Sequence, residues 1–281
     1  MANETQLPYL LKLLDDDSPV VQEAILKELR ALGPRLEEAL IHLPEPPTPI
    51  QKKVLQDILQ AESRQWLQEA WSSWFFLKGE KAKLEMAMSL LAQFQYERNG
   101  VHPPLESLLD DLAHEYLTLY EKKDASKLAE FLFQTKKLKG APSDTIEPLH
   151  SNLMYVLEKK LGLPISLTII YILVGHRLSM EIEGCNFPRH FLARVSLEGK
   201  IFLVDCFNGG KFIDPKEIIK INQNLSPVTY DILQNIPSAT AIISRVLRNL
   251  IHAYREKEEH ANGKLMMVLL EDLEENNNSF K

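Results

Sequence analysis

An apolar run, Leu167–Val174, constrains the fold of this chain more than any other feature. Gly162 and Pro164 interrupt the helical pattern before the run, so a new, fully buried helix is expected to begin next to them. Two segments of alternating apolar and polar residues follow, separated by Glu198-Gly199. Such segments around a two-residue turn are typical of an antiparallel hairpin. The sequence therefore predicts a buried helix packed on a small antiparallel sheet.

The register of the hairpin follows from its turn. With a two-residue loop at Glu198-Gly199, Leu197 lies opposite Lys200 and the pairing continues outward. One side is then apolar and carries the pairs Val195 with Phe202, Ala193 with Val204, and Phe191 with Cys206. On the other side His190 and Asp205 are diagonal neighbours about 7–8 Å apart at Cα. A one-residue shift would place Asp205 on the apolar side, at a desolvation cost of several kcal/mol.

The segments on either side of this core read as helices. Residues 1–76 begin with leucines at helical spacing, break at Asp15–Asp17, and resume at Ser18-Pro19, which suits an N-cap followed by a first helical position. This pattern resembles one HEAT-type repeat. The aromatic residues in the predicted helix Gln51–Phe76 are interpreted as part of the core or of a seam between domains. Residues 236–281 show two helical patterns that resemble a tetratricopeptide-type hairpin, which leaves residues 77–235 for the core.

Composition excludes several classes of protein. The formal net charge of −7 argues against a general nucleic-acid surface, and a solvated helix end explains the basic run at Lys136, Lys137 and Lys139. The longest apolar run is far shorter than the ~20 residues that span a bilayer. Neither a metal-ligand motif nor a phosphate-binding glycine loop is present, so no cofactor is expected. With no secretory signal at the N-terminus and two cysteines, a reducing cytoplasm is the expected location.

The stretch from Ser151 resembles the SirB-type transglutaminase-like family of bacterial proteins. The resemblance covers about half of the chain, from near Lys83 to Ile213. It depends on four elements in a fixed order: Asn152 before a helix, Gly162–Leu167, Pro188 with His190–Leu192, and Asp205 with Phe207, Gly209 and Gly210. The resemblance implies an α+β fold in which a papain/transglutaminase-like core is flanked by mostly helical segments.

The resemblance also implies a site. It places Ser166 at the nucleophile position, His190 at the base and Asp205 at the residue that orients the base. We assign substrate binding to Asn152, Pro188 and Asn208, and no metal. In such folds the nucleophile lies at a helix N-terminus, where unpaired backbone N–H groups favour an anion.

Several alternatives stay open. Ser166 near a helix start can equally be an N-cap. Cys185 is a weak candidate for a nucleophile, and Asn208 or Asp214 can replace Asp205 as the orienting residue. The family commonly has glycine before the histidine and proline after the aspartate, whereas this chain has Arg189 and Cys206, and a cation beside His190 would repel an imidazolium.

The predicted function is protein or peptide binding by a non-classical, catalytically weak member of the family. The serine in place of the transglutaminase cysteine supports this, because a hydroxyl is a poor nucleophile without a well-placed base. The alternative is a Ser166-dependent amidase or protease-type acyl-transfer enzyme. The sequence leaves open whether the chain is an enzyme and in what oligomeric state it acts. Nucleic acid and membrane partners are not expected.

Overall fold

The structure is a computed structural model that describes residues 6–14, 18–33, 35–96, 102–142, 145–188, 190–217, 231–233 and 235–279. Arg189 and the break at Asp15–Asp17 lie outside these ranges. The chain divides into two compact units. Residues up to Ala70, with His102, form the first unit, and Trp71–Tyr96 with the described residues from Pro103 onward form the second. The second unit therefore includes the C-terminal hairpin as well as the predicted core.

The first unit contains α1 (Leu7–Leu13), α2 (Pro19–Leu32), α3 (Arg35–Ile41) and α4 (Pro49–Ala70). Pro19 is the first residue of α2, and the helix ends at Gly33, whose φ of 55° suits glycine. The helices pack through a cluster of buried aliphatic side chains: Leu7, Leu11, Leu29, Leu36, Leu55 and Ile58. The Gln51 side-chain amide donates to the Leu11 carbonyl at 2.9 Å, which links α4 to α1. The HEAT-like assignment stays a prediction.

The aromatic segment does not continue the preceding helix. A 3₁₀ turn, Trp71–Phe76, follows the end of α4, so the helix predicted as far as Phe76 is shorter than expected. Trp71 and Trp74 are each 1% exposed and pack edge to face, as the core interpretation predicted. Phe76 is 80% exposed, so that interpretation is wrong for this residue.

The second unit places a central helix among other helices. The helices are α5 (Glu80–Gln95), α6 (Leu105–Leu119), α7 (Ala125–Ala129), α8 (Leu153–Lys159) and α9 (Pro164–Arg177), with a π-helical turn at Glu130–Thr135. Every residue of α9 from Ile165 to Gly175 is buried, as the apolar run predicted. At its C-terminus Arg177 forms a bidentate salt bridge to Glu85 of α5 at 2.7 Å and bonds Asp110 of α6 at 2.5 Å. These bonds fix the position of α9.

The main sheet has the strand order β3-β4-β5-β6, where β3 is Ile182–Cys185, β4 is Leu192–Leu197, β5 is Lys200–Asp205 and β6 is Lys211–Ile213. All three pairings are antiparallel. The β4–β5 pairs run from Leu197 with Lys200 to Ala193 with Val204, so the predicted register is confirmed. The turn residues Glu198 and Gly199 have φ of 51° and 77°, as a two-residue hairpin turn requires.

Both faces of the sheet are covered. The face that the sequence predicted to be apolar packs on α9. The opposite face also buries side chains, because Leu192 and Leu203 form a second cluster with Cys185 and Leu233. The prediction of one apolar face was therefore incomplete. Leu233 lies twenty residues beyond the end of the last strand, and no local pattern links it to the sheet.

Two smaller features complete this unit. A parallel pair, β1 (Lys139–Gly140) and β2 (Leu161–Gly162), lies close to the start of α9. The C-terminal hairpin consists of α10 (Ala239–Glu256) and α11 (His260–Ser279). Ser238 caps α10 by accepting a hydrogen bond from the Ala241 N–H at 3.2 Å. Among the described residues, no helix has both the length and the apolar content needed to cross a membrane.

Candidate functional site

His190, Asp205 and Asn208 form a connected hydrogen-bonded group. His190 Nε2 lies 2.8 Å from Asp205 Oδ1. The Asn208 side-chain amide donates to Asp205 Oδ2 at 2.8 Å, and its backbone N–H donates to Oδ1 at 3.1 Å. The His190 side chain is 29% exposed and that of Asp205 is 11% exposed. The carboxylate therefore orients an accessible imidazole, and Asn208 supports the carboxylate rather than replacing it.

The hydrogen bonds keep the Asp205 carboxyl ionised. Burial raises the pKa of Asp205, but the hydrogen bonds from His190 and Asn208 outweigh burial and hold the pKa below its ordinary value. A carboxylate that accepts several hydrogen bonds is stabilised in its charged form. Asp205 is thus an anion at neutral pH, and because an ionised carboxylate only accepts hydrogen bonds, it accepts from His190 Nε2–H.

The β4–β5 register brings these groups together, but His190 and Phe191 lie outside the strand in which the sequence predicted them. Asp205 is the last residue of β5, and His190 precedes β4 in a turn where its N–H donates to the Phe187 carbonyl at 3.2 Å. The Phe207 ring packs edge-on against the His190 ring, with centroids 5.9 Å apart. The His190 side chain is therefore partly exposed, with an aromatic ring beside it.

Ser166 is engaged elsewhere. It is 1% exposed, and its hydroxyl donates to the His150 carbonyl oxygen at 2.9 Å. Among the described residues no hydrogen bond joins Ser166 to His190. The alternative interpretation of Ser166 as an N-cap is wrong, because the N-cap of α9 is Leu163 and Ser166 is the third helical residue.

Thr168 identifies the face of α9 that meets the segment of His190 and Phe191, just before β4. Its hydroxyl donates to the carbonyl of Phe191 at 3.4 Å. Two turns later, Gly175 approaches β3 so closely that a Cβ there would lie 2.5 Å from Ile182. Helical residues three or four positions apart share a face, so Pro164 and Ile165, and not Ser166, precede Thr168 on this face. Neither side chain that the helix start places on this face carries a hydroxyl or a thiol.

The residues expected to bind substrate have different environments. Asn152 is 1% exposed: its Oδ1 caps α8 by accepting from Met154 N–H at 2.9 Å and Tyr155 N–H at 3.2 Å, and its Nδ2 donates to Ala92. With all these groups used internally, Asn152 does not line a surface. Pro188 is exposed, two residues before His190. Asn208 is exposed and lies beside Asp205, to which its side-chain amide donates.

Neither cysteine has the properties of a nucleophile. Cys185 is 1% exposed and Cys206 is fully buried. Burial raises the pKa of Cys185 to about 11 and that of Cys206 to about 12. Both thiols are therefore protonated at neutral pH, whereas the reactive form is the thiolate. Among the described residues, no group of three or more His, Cys, Asp or Glu side chains is arranged to hold a metal ion.

The residues that support the turn after β5 carried no signal in the sequence. The Gln134 amide of the π-helical turn donates to the Gly209 carbonyl at 3.1 Å. A Cβ on Gly210 would lie 2.6 Å from Phe133, and Gly210 N–H donates to the Asp205 carbonyl at 2.8 Å. Two adjacent glycines, Gly209 and Gly210, are typical of a turn, but nothing in the sequence indicates a π-helix packed against it. π-Helical turns often occur near functional sites.

Comparisons with known proteins agree with this architecture. A family model described as the transglutaminase-like superfamily matches residues 100–248. A UPF0162 protein of Xylella fastidiosa is 31% identical over 202 residues, which cover 68% of this chain and 71% of the relative. The SirB1 protein of Salmonella typhimurium is 27% identical over 107 residues, covering 37% of this chain and 40% of the relative.

A eukaryotic relative shares the same region. Human F-box only protein 21 is 25% identical over 184 residues, which cover 62% of this chain but 29% of that protein. No solved structure matches the chain. The family match spans more than half of the chain, and the predicted resemblance to SirB-type proteins is confirmed. The chain therefore belongs to the transglutaminase-like superfamily.

Proposed function

We propose that this chain binds protein or peptide segments at the surface formed by His190, Asp205 and Asn208, and does not cleave them. One observation carries the proposal: the Ser166 hydroxyl is buried and donates to the His150 carbonyl oxygen at 2.9 Å. Acyl transfer by serine requires a base that removes the hydroxyl proton. A hydroxyl that donates to a buried carbonyl is not poised for that step.

The histidine surface suits recognition of a polypeptide backbone. Nε2–H of His190 donates to Asp205, and in that tautomer of the imidazole Nδ1 is a hydrogen-bond acceptor. Asn208 uses its Nδ2 on Asp205, and its side-chain oxygen has no hydrogen-bond partner among the described residues. Two acceptors beside the Phe207 ring match backbone N–H groups and an apolar side chain of a peptide. The two cysteines are unpaired, and we propose a reducing cytoplasm as the location.

A fluorophosphonate probe tests the absence of catalysis, since it labels serine nucleophiles that a base activates. We expect no labelling of wild-type protein at Ser166 by mass spectrometry and no hydrolysis of p-nitrophenyl acetate above that of Ser166→Ala. Titration of the protein with short peptides, followed by the NMR signals of the His190 ring, tests binding. The signals should shift on titration and stay unchanged in Asp205→Asn, which loses the ionised partner.

The alternative is a Ser166-dependent amidase or protease. The 2.8 Å contact between His190 and Asp205 favours it, because that pair is the half of a hydrolytic triad that orients the base. Labelling of Ser166 that disappears in both Ser166→Ala and His190→Ala would establish this alternative and overturn the proposal.

A further inference from the structure

Five lysines lie together at one corner of the second unit. Lys136 and Lys137 follow the π-helical turn, and Lys139 begins β1. Lys159 is the last residue of α8, and Lys160 is its C-cap. The parallel pairing of β1 with β2 joins these segments, since the Lys139 N–H donates to the Lys160 carbonyl at 3.0 Å. We call Lys136, Lys137, Lys139, Lys159 and Lys160 the lysine corner.

The positive charge of the lysine corner is only partly neutralised. Lys136 pairs with Glu115 at 2.7 Å, and Lys159 pairs with its neighbour Glu158 at 2.6 Å. Among the described residues, no carboxylate forms a salt bridge with the other three lysines, of which Lys137 and Lys139 are exposed. Burial, and then the nearby charge of Lys136, lowers the pKa of Lys160. Cations are thus crowded here in a chain whose net charge is −7.

The lysine corner adjoins the histidine surface. Gly140 follows Lys139, and the Phe207 ring lies so close that a Cβ on Gly140 would be 2.5 Å from two of its carbons. The same ring contacts the His190 ring. An extended peptide rises about 3.3 Å per residue, so a segment of about four to six residues reaches from His190 past Phe207 to Lys139.

We infer that the partner held at this site is an acidic protein segment, with its backbone at His190 and Asn208 and its carboxylates at the lysine corner. The inference depends on the proposed function and names the chemistry of the partner. Charge complementarity selects among peptides and accelerates their association. A nucleic acid fits less well, because three uncompensated lysines meet few phosphates and the net charge of −7 repels a polyanion.

Fluorescence anisotropy tests the inference with three labelled probes: (Glu-Gly-Tyr)₄, (Gln-Gly-Tyr)₄ and a twelve-nucleotide oligothymidylate. The wild type should bind the Glu peptide about tenfold more tightly than the Gln peptide at low salt, with a smaller ratio at higher salt. The double variant Lys137→Glu, Lys139→Glu should abolish this preference. The matched control is Lys52→Glu, Lys53→Glu, which reverses two exposed lysines on α4 of the first unit and should preserve the preference.

Each outcome separates the inference from the proposed function. If both peptides bind equally and His190→Ala weakens both, the acidic partner is overturned while peptide binding stands. If neither peptide binds and the His190 ring signals do not shift, the proposed function itself fails. Tighter binding of oligothymidylate than of the Glu peptide would overturn the inference in favour of a nucleic-acid partner. An equal loss of the preference for the Glu peptide in the lysine variant and in its control would also overturn the inference, because the lysine corner would then have no special role.

Discussion

The strand half of the candidate site, His190, Asp205 and Asn208, differs sharply from the helix half, His150, Asn152 and Ser166. In the strand half, polar groups orient one another at a surface, and the His190 side chain is 29% exposed. In the helix half every residue is at least nine-tenths buried, with Ser166 and Asn152 each 1% exposed. The polar atoms of Asn152 and Ser166 bond to the backbone of neighbouring segments.

The difference shows how such a fold can keep the orienting pair of a hydrolytic site without a nucleophile. Hydrogen bonds of the strand half leave acceptor atoms for a ligand, whereas those of the helix half stabilise the chain around the start of α9. Changes in the helix half should therefore lower the free energy of unfolding, and changes in the strand half should mainly alter binding. Equal effects on stability and on binding from changes in the two halves would contradict this comparison.

The largest expected effect is on stability, from Asn152→Ala. This change removes the cap of α8 and leaves the Ala92 carbonyl without its side-chain donor, so the free energy of unfolding should fall by about 3 kcal/mol. Urea denaturation followed by circular dichroism measures the change. Asn208→Ala in the strand half is the matched control and should cost less than about 1 kcal/mol. Equal losses in the two variants would contradict the division into halves.

The next effect is on how the free energy of unfolding depends on pH, which should differ between His150 in the helix half and Asp205 in the strand half. Burial holds the pKa of His150 below 6.5, with Lys257 acting in the same direction and Glu147 against it. The unfolded chain therefore binds a proton that the folded protein does not. Stability should fall as the pH drops below 6.5, by at most about 1.4 kcal/mol per pH unit.

The contribution of Asp205 to stability should be lost only at lower pH than that of His150. Its pKa is lowered, so its contribution to stability is present above its unfolded value of 3.8 and is lost as the pH falls through its folded pKa. Urea denaturation between pH 7.5 and 5 should show a flatter decline for His150→Gln than for wild type. Asp205→Asn should keep the wild-type slope in this range. If stability declines as steeply with falling pH in His150→Gln as in wild type, His150 is not the group responsible for the decline.

The smallest expected effect is on the reactivity of an introduced thiol. Pro164→Cys places a thiol in a partly exposed position on the face of α9 that meets the segment of His190 and Phe191, whereas Ser166→Cys places it in the core. Alkylation by iodoacetamide at pH 6.5 should be about fivefold faster for Pro164→Cys, because the helix N-terminus favours an accessible thiolate. Mass spectrometry resolves the new thiol from Cys185 and Cys206. Faster alkylation of Ser166→Cys would restore Ser166 as the residue facing the base.

The strand half was predictable because its geometry is local. Alternation along two segments and a two-residue turn fix the β4–β5 register. That register puts the start of β4 beside the end of β5, and so brings His190, just before β4, next to Asp205. The helix half was less predictable. The sequence indicates that a helix begins near Ser166, but a helix buried on every side has no polar face that reveals its rotation. The role of Ser166 therefore depended on a rotation that periodicity could not specify.

The sequence by itself determined the buried helix, the hairpin and its register, and the family, since each depends on residues close together in the chain. Only the tertiary structure decided three other features: the hydroxyl of Ser166 bonds to His150, Leu233 covers the second face of the sheet, and the lysines near Lys139 and Lys160 form one corner. Each of these joins segments distant in sequence. Packing of the whole unit selects such contacts, and no local propensity encodes them.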